Sequence, residues 1–405
     1  MKKKIFLVFF LVFGIVFFVF RVNKNNNEFI MIDLSLYNEK EIIEKGNELD
    51  VSVVIEHQEN NDLKEGSFIS QSIKKGEKYK TGDTIIIVFS KKEEEIDYEK
   101  YNVNELGVVP IMMYHGIHNL KNDDTPHIGG NVDISGYNRT KEAFINDLEM
   151  YYKKGYRMIR LNDYINGLID VKLGYSPIVL TFDDGNRNNI NILGVDDNNE
   201  LIIDPNSAVG ILENFKKKYP DFNVTATFFV NEGLFHQPKY NEKIIKWLVE
   251  NNYDIGNHTL GHVDLSSTSS LETMRSIGYI YRKLNNIIGD KYVPIVALPF
   301  GKPNNFDHSN FEYIIKGEFE GYKYQTKGIL RVGWEPNLSP FHKNFNPHFI
   351  KRVRAYDNNG LDFDIESTFK LLEPTRYISD GKKNQITIRD DSNIKEGINK
   401  KITKY

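Results

Sequence analysis

The chain has 405 residues, no cysteine and a formal net charge of −4. That length allows about two domains and a large core. Without cysteine there are no disulfides, thiolate metal sites, cysteine nucleophile or lipid anchor on an N-terminal cysteine, and the charge balance lacks the basic excess of a nucleic-acid binder.

In chain order, Lys2-Lys3-Lys4 precedes an uncharged apolar run from Ile5 to Phe20, closed by Arg21 and Lys24. The run approaches the ~20 residues that span a bilayer, and bulky residues continue up to Arg21 with no small-residue cleavage site. Residues 1–24 are therefore expected to be an uncleaved signal anchor, a single transmembrane helix in the cell membrane with the body extracytoplasmic. A cleaved signal peptide is the alternative, and it exports the body equally. After a polar spacer, Ser35 to Leu49 has the periodicity of an amphipathic helix capped by Ser35 or Asn38. Strands are predicted at Val51 to His57, Gly66 to Ser72 and Thr84 to Ser90, separated by Asn60-Asn61-Asp62 and Thr81-Gly82-Asp83. One helix and three strands make a small α+β domain.

The residues Glu65-Gly66-Ser67-Phe68-Ile69-Ser70-Gln71-Ser72, with Gly76, Gly82, Ile85-Ile86-Ile87 and Ser90-Lys91, resemble a PASTA domain over 29–91. The resemblance implies contact with peptidoglycan, although single copies also serve as spacers, and fold likeness alone does not establish binding. Residues 92–106 read as a charged linker.

From Val108 the pattern changes to short apolar runs alternating with helices, assigned here to one domain over 107–390. Strands are expected at Val108 to Met113, Arg157 to Ile159, Ile178 to Phe182, Val224 to Val230, Asp254 to Gly256 and Val293 to Pro299. Helices are expected at Lys141 to Lys154, Asn162 to Ile169, Ala208 to Tyr219, Glu242 to Asn251 and Leu271 to Ile288. This alternation argues a parallel α/β fold, most simply a β/α barrel. Residues 391–405 read as a frayed polar tail.

Three strand ends carry chemistry. The apolar run Ile178 to Phe182 ends in Asp183-Asp184-Gly185, two adjacent carboxylates that repel unless a cation or proton intervenes. Alone, this is more often an ordinary turn. Asn257-His258-Thr259-Leu260-Gly261-His262 places two histidines four apart, a spacing that binds one ion from one face of a helical turn. The third is Ala297-Leu298-Pro299-Phe300-Gly301.

In this order the motifs resemble the polysaccharide deacetylases of carbohydrate esterase family four, over roughly 107–355. The resemblance implies a distorted parallel β/α barrel in which Asp184, His258 and His262 hold a divalent metal, usually zinc. It further implies Asp183 as general base, an oxyanion contact from the Phe300 N–H in the turn begun by Pro299, and a Thr259 hydroxyl tying down the metal loop. Two departures stand out. The usual acid-bearing Leu-x-His segment is missing, while Pro110-Ile111-Met112-Met113-Tyr114-His115-Gly116 resembles the N-terminal Tyr-His segment of the circularly permuted poly-N-acetylglucosamine deacetylases. That makes His115 the acid, with His342 and His348 as rivals. Ala297 stands where the family has the arginine that orients the base, leaving Lys302, Arg352 or Arg354 to replace it. Trp334 is expected either to wall the acetyl pocket or to sit in the core.

The expected function is metal-dependent release of acetyl groups from peptidoglycan or poly-N-acetylglucosamine, with membrane attachment through the N-terminal helix. The alternative is an impaired esterase fold that only binds cell-wall glycan, motivated by Ala297.

Overall fold

The computed structural model describes residues 28–60, 62–92, 96–390 and 393–405. The expected anchor over 1–24 lies outside them; among the described residues no helix is long and apolar enough to cross a membrane. The chain divides into two compact units between Ile96 and Asp97.

In the first unit, helix Glu39–Glu48 starts at Asn38, whose side chain accepts the Glu41 N–H while the Glu41 carboxylate accepts the Asn38 N–H. Strand Thr84–Lys91 is central, parallel to Ser52–Glu59 and antiparallel to Phe68–Gln71. Ile42, Ile85, Ile87, Phe89 and Tyr79 form the core. Two further short strands, Glu28–Ile30 and Lys78–Lys80, pair with each other. Gln71 and Ser72 of the recognised motif are used internally. The Gln71 amide accepts from Leu34 N and donates to the Ile32 and Ile73 carbonyls, and the Ser72 hydroxyl accepts from Ile86 N. These residues report the fold rather than a ligand.

The second unit is built on a curled, eight-stranded parallel sheet. Its strands are β1 (Ile111–Tyr114), β2 (Ser176–Phe182), β3 (Thr227–Val230), β4 (Asp254–Asn257), β5 (Ile295–Ala297), β6 (Gly328–Leu330) and β7 (Val353–Arg354). Each pairs with the next from β1 to β6, β7 returns to β1, and Tyr156–Met158 pairs with the start of β2. The edges meet at a bridge between Leu330 and Ile350, and this irregular seam is the distortion of the barrel. Helices α1 (Lys141–Lys153), α2 (Ala208–Lys218), α3 (Asn241–Glu250) and α4 (Ser270–Ile288) are among the connections. Thr140, Ser207 and Ser269 cap α1, α2 and α4 by accepting a first-turn N–H.

Side-chain parity along the strands decides what faces the site. Ile111, Val179, Phe229, Ile295, Ala297, Leu330 and Ile350 pack in the barrel interior. Their neighbours Met112, Tyr114, Leu180, Phe182, Phe228 and Val353 pack outward against the helices. His115, Asp183, Arg352 and Arg354 therefore fall on the inner face. Active sites of such sheets form where strands end at their carboxyl side.

Two boundaries differ from the sequence reading. The stretch assigned to a linker up to 106 joins the second unit from Asp97 onward: Val103 is fully buried, and Glu105 accepts hydrogen bonds from Tyr377, Asp380 and Thr387. The tail is not frayed, because Lys401–Lys404 forms a strand parallel to Gln385–Ile388, and the Tyr405 hydroxyl donates to the Val103 carbonyl. Both stretches are polar in composition, and only tertiary pairing orders them.

Candidate active site

Asp183 follows β2 and is 1% exposed. Its two oxygens accept from Arg352 Nη1 at 2.8 Å and Nη2 at 2.7 Å, a bidentate pair. Arg352 is itself fixed, with Nε on the Arg331 carbonyl at 2.7 Å and Nη1 also on the Thr181 hydroxyl at 3.2 Å. Burial pushes the Asp183 carboxyl up, but the Arg352 guanidinium, helped by neighbouring histidines, outweighs it and holds the group well below the usual carboxylate range. Ala297 carries no arginine, yet the guanidinium is supplied from the inner face at the start of β7. Of the other replacements considered, Lys302 pairs with Asp264, and Arg354 is stacked among aromatic rings. The missing arginine thus gives no ground for reading the site as impaired.

Asp184 adopts φ 73°, which turns its side chain away from that pair. Gly185 follows at φ 59°, and a Cβ there would meet the Leu234 carbonyl oxygen at 2.1 Å, so this corner demands glycine. Asp184 Oδ1 lies 3.1 Å from His258 Nε2 and 3.4 Å from His262 Nε2. Asp184 Oδ1 and His258 Nε2 are nevertheless buried without a hydrogen-bond partner, since their geometry is not that of a hydrogen bond. His258 Nδ1 lies 2.9 Å from the Ala297 carbonyl, which takes its N–H and leaves the Nε2 lone pair facing Asp184. The three side chains converge as a ligand set for one cation, and their donors fit zinc or another divalent transition ion.

The histidine pair reaches this arrangement without a helical turn. His258 follows β4, then Thr259, Gly261 and His262 all take positive φ, folding the loop back so that the two rings lie 4.9 Å apart. The expected role of the Thr259 hydroxyl is not seen: it is buried without a partner. The loop is tied instead by Asn257, whose side chain accepts the Thr259 N–H and donates to the Ile277 carbonyl, and by Glu232, which accepts the Gly261 N–H.

His115 follows β1 and feels the charges of Asp183, Asp184, Arg352 and His258. Burial lowers its pKa, and the two carboxylates offset this only in part. Its Nδ1 is buried without a partner, its ring packs edge-on against Tyr137, and its carbonyl accepts from Asn189. The rivals lie elsewhere. His348 sits on the Thr326 carbonyl, ahead of β6, and His342 caps its own turn by accepting from Asn344. Phe300 takes φ 58°, its ring lies 4.7 Å from His262, and its N–H has no acceptor among the described residues. Pro299 is buried beneath that turn. Trp334 is half-buried and packs against Arg354, Tyr356 and Phe363, and it is joined to His115 through Arg354 and Tyr137. Sequence reasoning did not single out Tyr137 or Asn189; each acts through a contact distant along the chain.

Residues 170–309 match the family model of polysaccharide deacetylase, and residues 29–91 match that of the PASTA domain. The chain therefore carries both domains, and it is an enzyme of the deacetylase type. The deacetylase match spans Asp183, Asp184, His258, His262 and Phe300, and leaves His115 and Arg352 outside it. No curated protein matches the chain. Among solved structures it is similar to the Streptococcus pyogenes deacetylase PplD in complex with acetate, at 17% identity over 65% of this chain and 98% of that one, with a TM-score of 0.46. It is also similar to a de-N-acetylase from Aggregatibacter actinomycetemcomitans, at 12% identity over 65% of this chain and 99% of that one, with a TM-score of 0.40.

Proposed function

We propose that this polysaccharide deacetylase removes N-acetyl groups from an N-acetylglucosamine-containing cell-wall or extracellular glycan, and that Asp184, His258 and His262 hold a divalent cation, zinc first, for that reaction. The observation that carries the reading is the pair of buried, unpartnered atoms facing each other, Asp184 Oδ1 and His258 Nε2. Burying such atoms unsatisfied is costly, and a cation between them removes the cost. Bound there with open coordination positions, the ion would lower the pKa of water toward ~7 and polarise the acetyl carbonyl.

The remaining work falls to the protein's own side chains. Asp183, kept ionised and locked in orientation by Arg352, takes the proton from the attacking water. The unengaged Phe300 N–H stabilises the developing oxyanion. His115, acting in its protonated form, gives its proton to the leaving amine, and the proton taken by Asp183 is released afterwards to restore the site. A cavity of about 490 Å³ is lined by Asn186, Asn188, Asn191, Asn206, His118 and His236, whose amides and rings suit sugar hydroxyls.

Peptidoglycan and poly-N-acetylglucosamine are the two substrates this reading supports, the first through the PASTA domain and the second through the Tyr114-His115 segment. An anchor at residues 1–24 would hold the enzyme at the outer face of the cell membrane, with the PASTA domain in contact with peptidoglycan. Acetate release from both polymers, with and without a chelator, tests the assignment. Chelator-sensitive release from at least one is expected. Release indifferent to chelation, or none from either by the zinc-loaded protein, would overturn it.

A further inference from the structure

Arg352, just ahead of β7, and Arg354, within it, share the inner face of the barrel, two residues and about 6.6 Å apart along the chain. Their surroundings are opposite. Arg352 is paired in bidentate geometry with Asp183 and further held by the Arg331 carbonyl and the Thr181 hydroxyl. Arg354 is 7% exposed, its Nε is buried without a partner, and its guanidinium donates to no described residue. Aromatic faces surround it instead: its central carbon lies 3.5 Å from the Trp334 ring centre, 4.4 Å from that of Tyr137 and 5.4 Å from that of Tyr356. Asp133 acts on it through space, but both of that carboxylate's oxygens are taken up by Ser135, Tyr137 and Asn138.

A nearly buried cation without a counterion is expensive to maintain, and stacking on rings compensates only part of that cost. The position gives it a use. Tyr137, one wall of the aromatic box, is also the ring against which His115 packs, so the unpaired charge stands one side chain from the proposed acid. A planar guanidinium held by ring faces keeps its terminal nitrogens aligned for a bidentate oxyanion.

We propose that Arg354, boxed by Tyr137, Trp334 and Tyr356, is a subsite for an oxyanion on the substrate glycan, so that the enzyme favours N-acetylated glycans bearing a carboxylate or phosphate near the acetamido group being hydrolysed. This rests on the deacetylase reading and narrows its substrate. It also reassigns Trp334, which walls the anion subsite rather than the acetyl pocket.

The test measures binding of three glycans of equal length to the full zinc-loaded protein: a neutral N-acetylglucosamine oligomer, a muramic-type oligomer with free lactyl carboxylates, and a phosphorylated N-acetylglucosamine oligomer. The wild type is expected to bind at least one acidic glycan more tightly, with an advantage that shrinks as ionic strength rises. The arm that shows the advantage identifies the anion. Arg354→Met should reduce the acidic-to-neutral affinity ratio about tenfold or more, the scale of a charge-assisted hydrogen bond, and Arg354→Lys should keep part of it. A wild type with no salt-sensitive preference for either acidic glycan would overturn the proposal without recourse to any variant. So would a folded Arg354→Met protein whose affinity ratio is unchanged. Acetate release, followed in the same samples, separates the two readings: a preserved binding preference with no release from any glycan counts against the deacetylase reading and not against the subsite.

Discussion

Asp183 and Glu105 are both almost wholly buried, at 1% and 2% exposed, in the same unit, yet their charges behave in opposite ways. Glu105 accepts from the Tyr377 hydroxyl and from the Asp380 and Thr387 N–H groups; burial, reinforced by the negative charge of Asp380, pushes its carboxyl up to about 8. Asp183 meets a guanidinium in bidentate geometry and stays ionised. Burial alone therefore does not set the state of a carboxylate; the presence of a cation does. Asp184 is a third case, with histidine nitrogens facing it and no hydrogen bond between them, an arrangement that could hold an ion. Glu105 ties the segment after Asp97 to the C-terminal strands, whereas the two aspartates are the residues to which the proposed function gives the chemistry.

The largest effect expected from breaking this comparison is at the cation set. His258→Ala should release the metal and bring acetate release to background, well beyond the ~10–100-fold typical of losing an outer-shell partner. Retention of both by the variant, read by metal analysis and acetate assay, would contradict the assignment.

Next comes Arg352→Met, which leaves Asp183 buried without its cation at a cost of about 3–5 kcal/mol in stability. In the wild type the depressed pKa contributes stability that is present above the unfolded value of about 3.9 and lost as pH falls through the folded one. Without the guanidinium, burial dominates and the pKa rises. The acid limb of the pH–rate profile should then move to higher pH, and an unmoved limb would show that Arg352 does not govern Asp183.

Glu105→Gln sharpens the other side. The wild-type carboxyl is raised from 4.5 to about 8 in the folded state, so between those values the native protein binds more protons than the unfolded chain. Wild-type stability should therefore fall as pH rises from about 5 to 9. The variant's stability relative to wild type should improve over that range by on the order of 3 kcal/mol, on top of a pH-independent loss from its misdirected amide. Denaturant titrations at several pH values check this, and a constant difference would refute the raised pKa.

The smallest effect lies at an exposed carboxylate, Glu41, which closes the Asn38 capping box in the first unit. Asn38→Ala should cost that unit about 1 kcal/mol, read by its thermal unfolding. A loss as large as that of Arg352→Met would mean exposure matters less than the comparison holds.

Much of the site was legible because it lies in short, continuous windows. The apolar run into Asp183-Asp184-Gly185 and the His258/His262 spacing each mark a strand end locally. The same spacing misled on one point, since three consecutive-region positive φ values, not a helical turn, bring the rings together. Arg352 was one of three cations in view, and pattern alone could not choose it: it acts across 169 residues from just ahead of a two-residue strand. The alternation of Arg352-Val353-Arg354 does fit an inner face around an outward valine. Tyr137 and Asn189 carried no such mark, and the strand Lys401–Lys404 is too short and polar to show a period of its own.

In the proposed mechanism two adjacent aspartates divide the work, Asp184 on the cation and Asp183 on the proton. Metal content and acetate release, measured together on Asp183→Asn, test it most directly. The variant should keep one divalent ion per chain and turn over at least about 10²-fold more slowly than wild type. An active variant, or one that has lost its ion along with its activity, would contradict it.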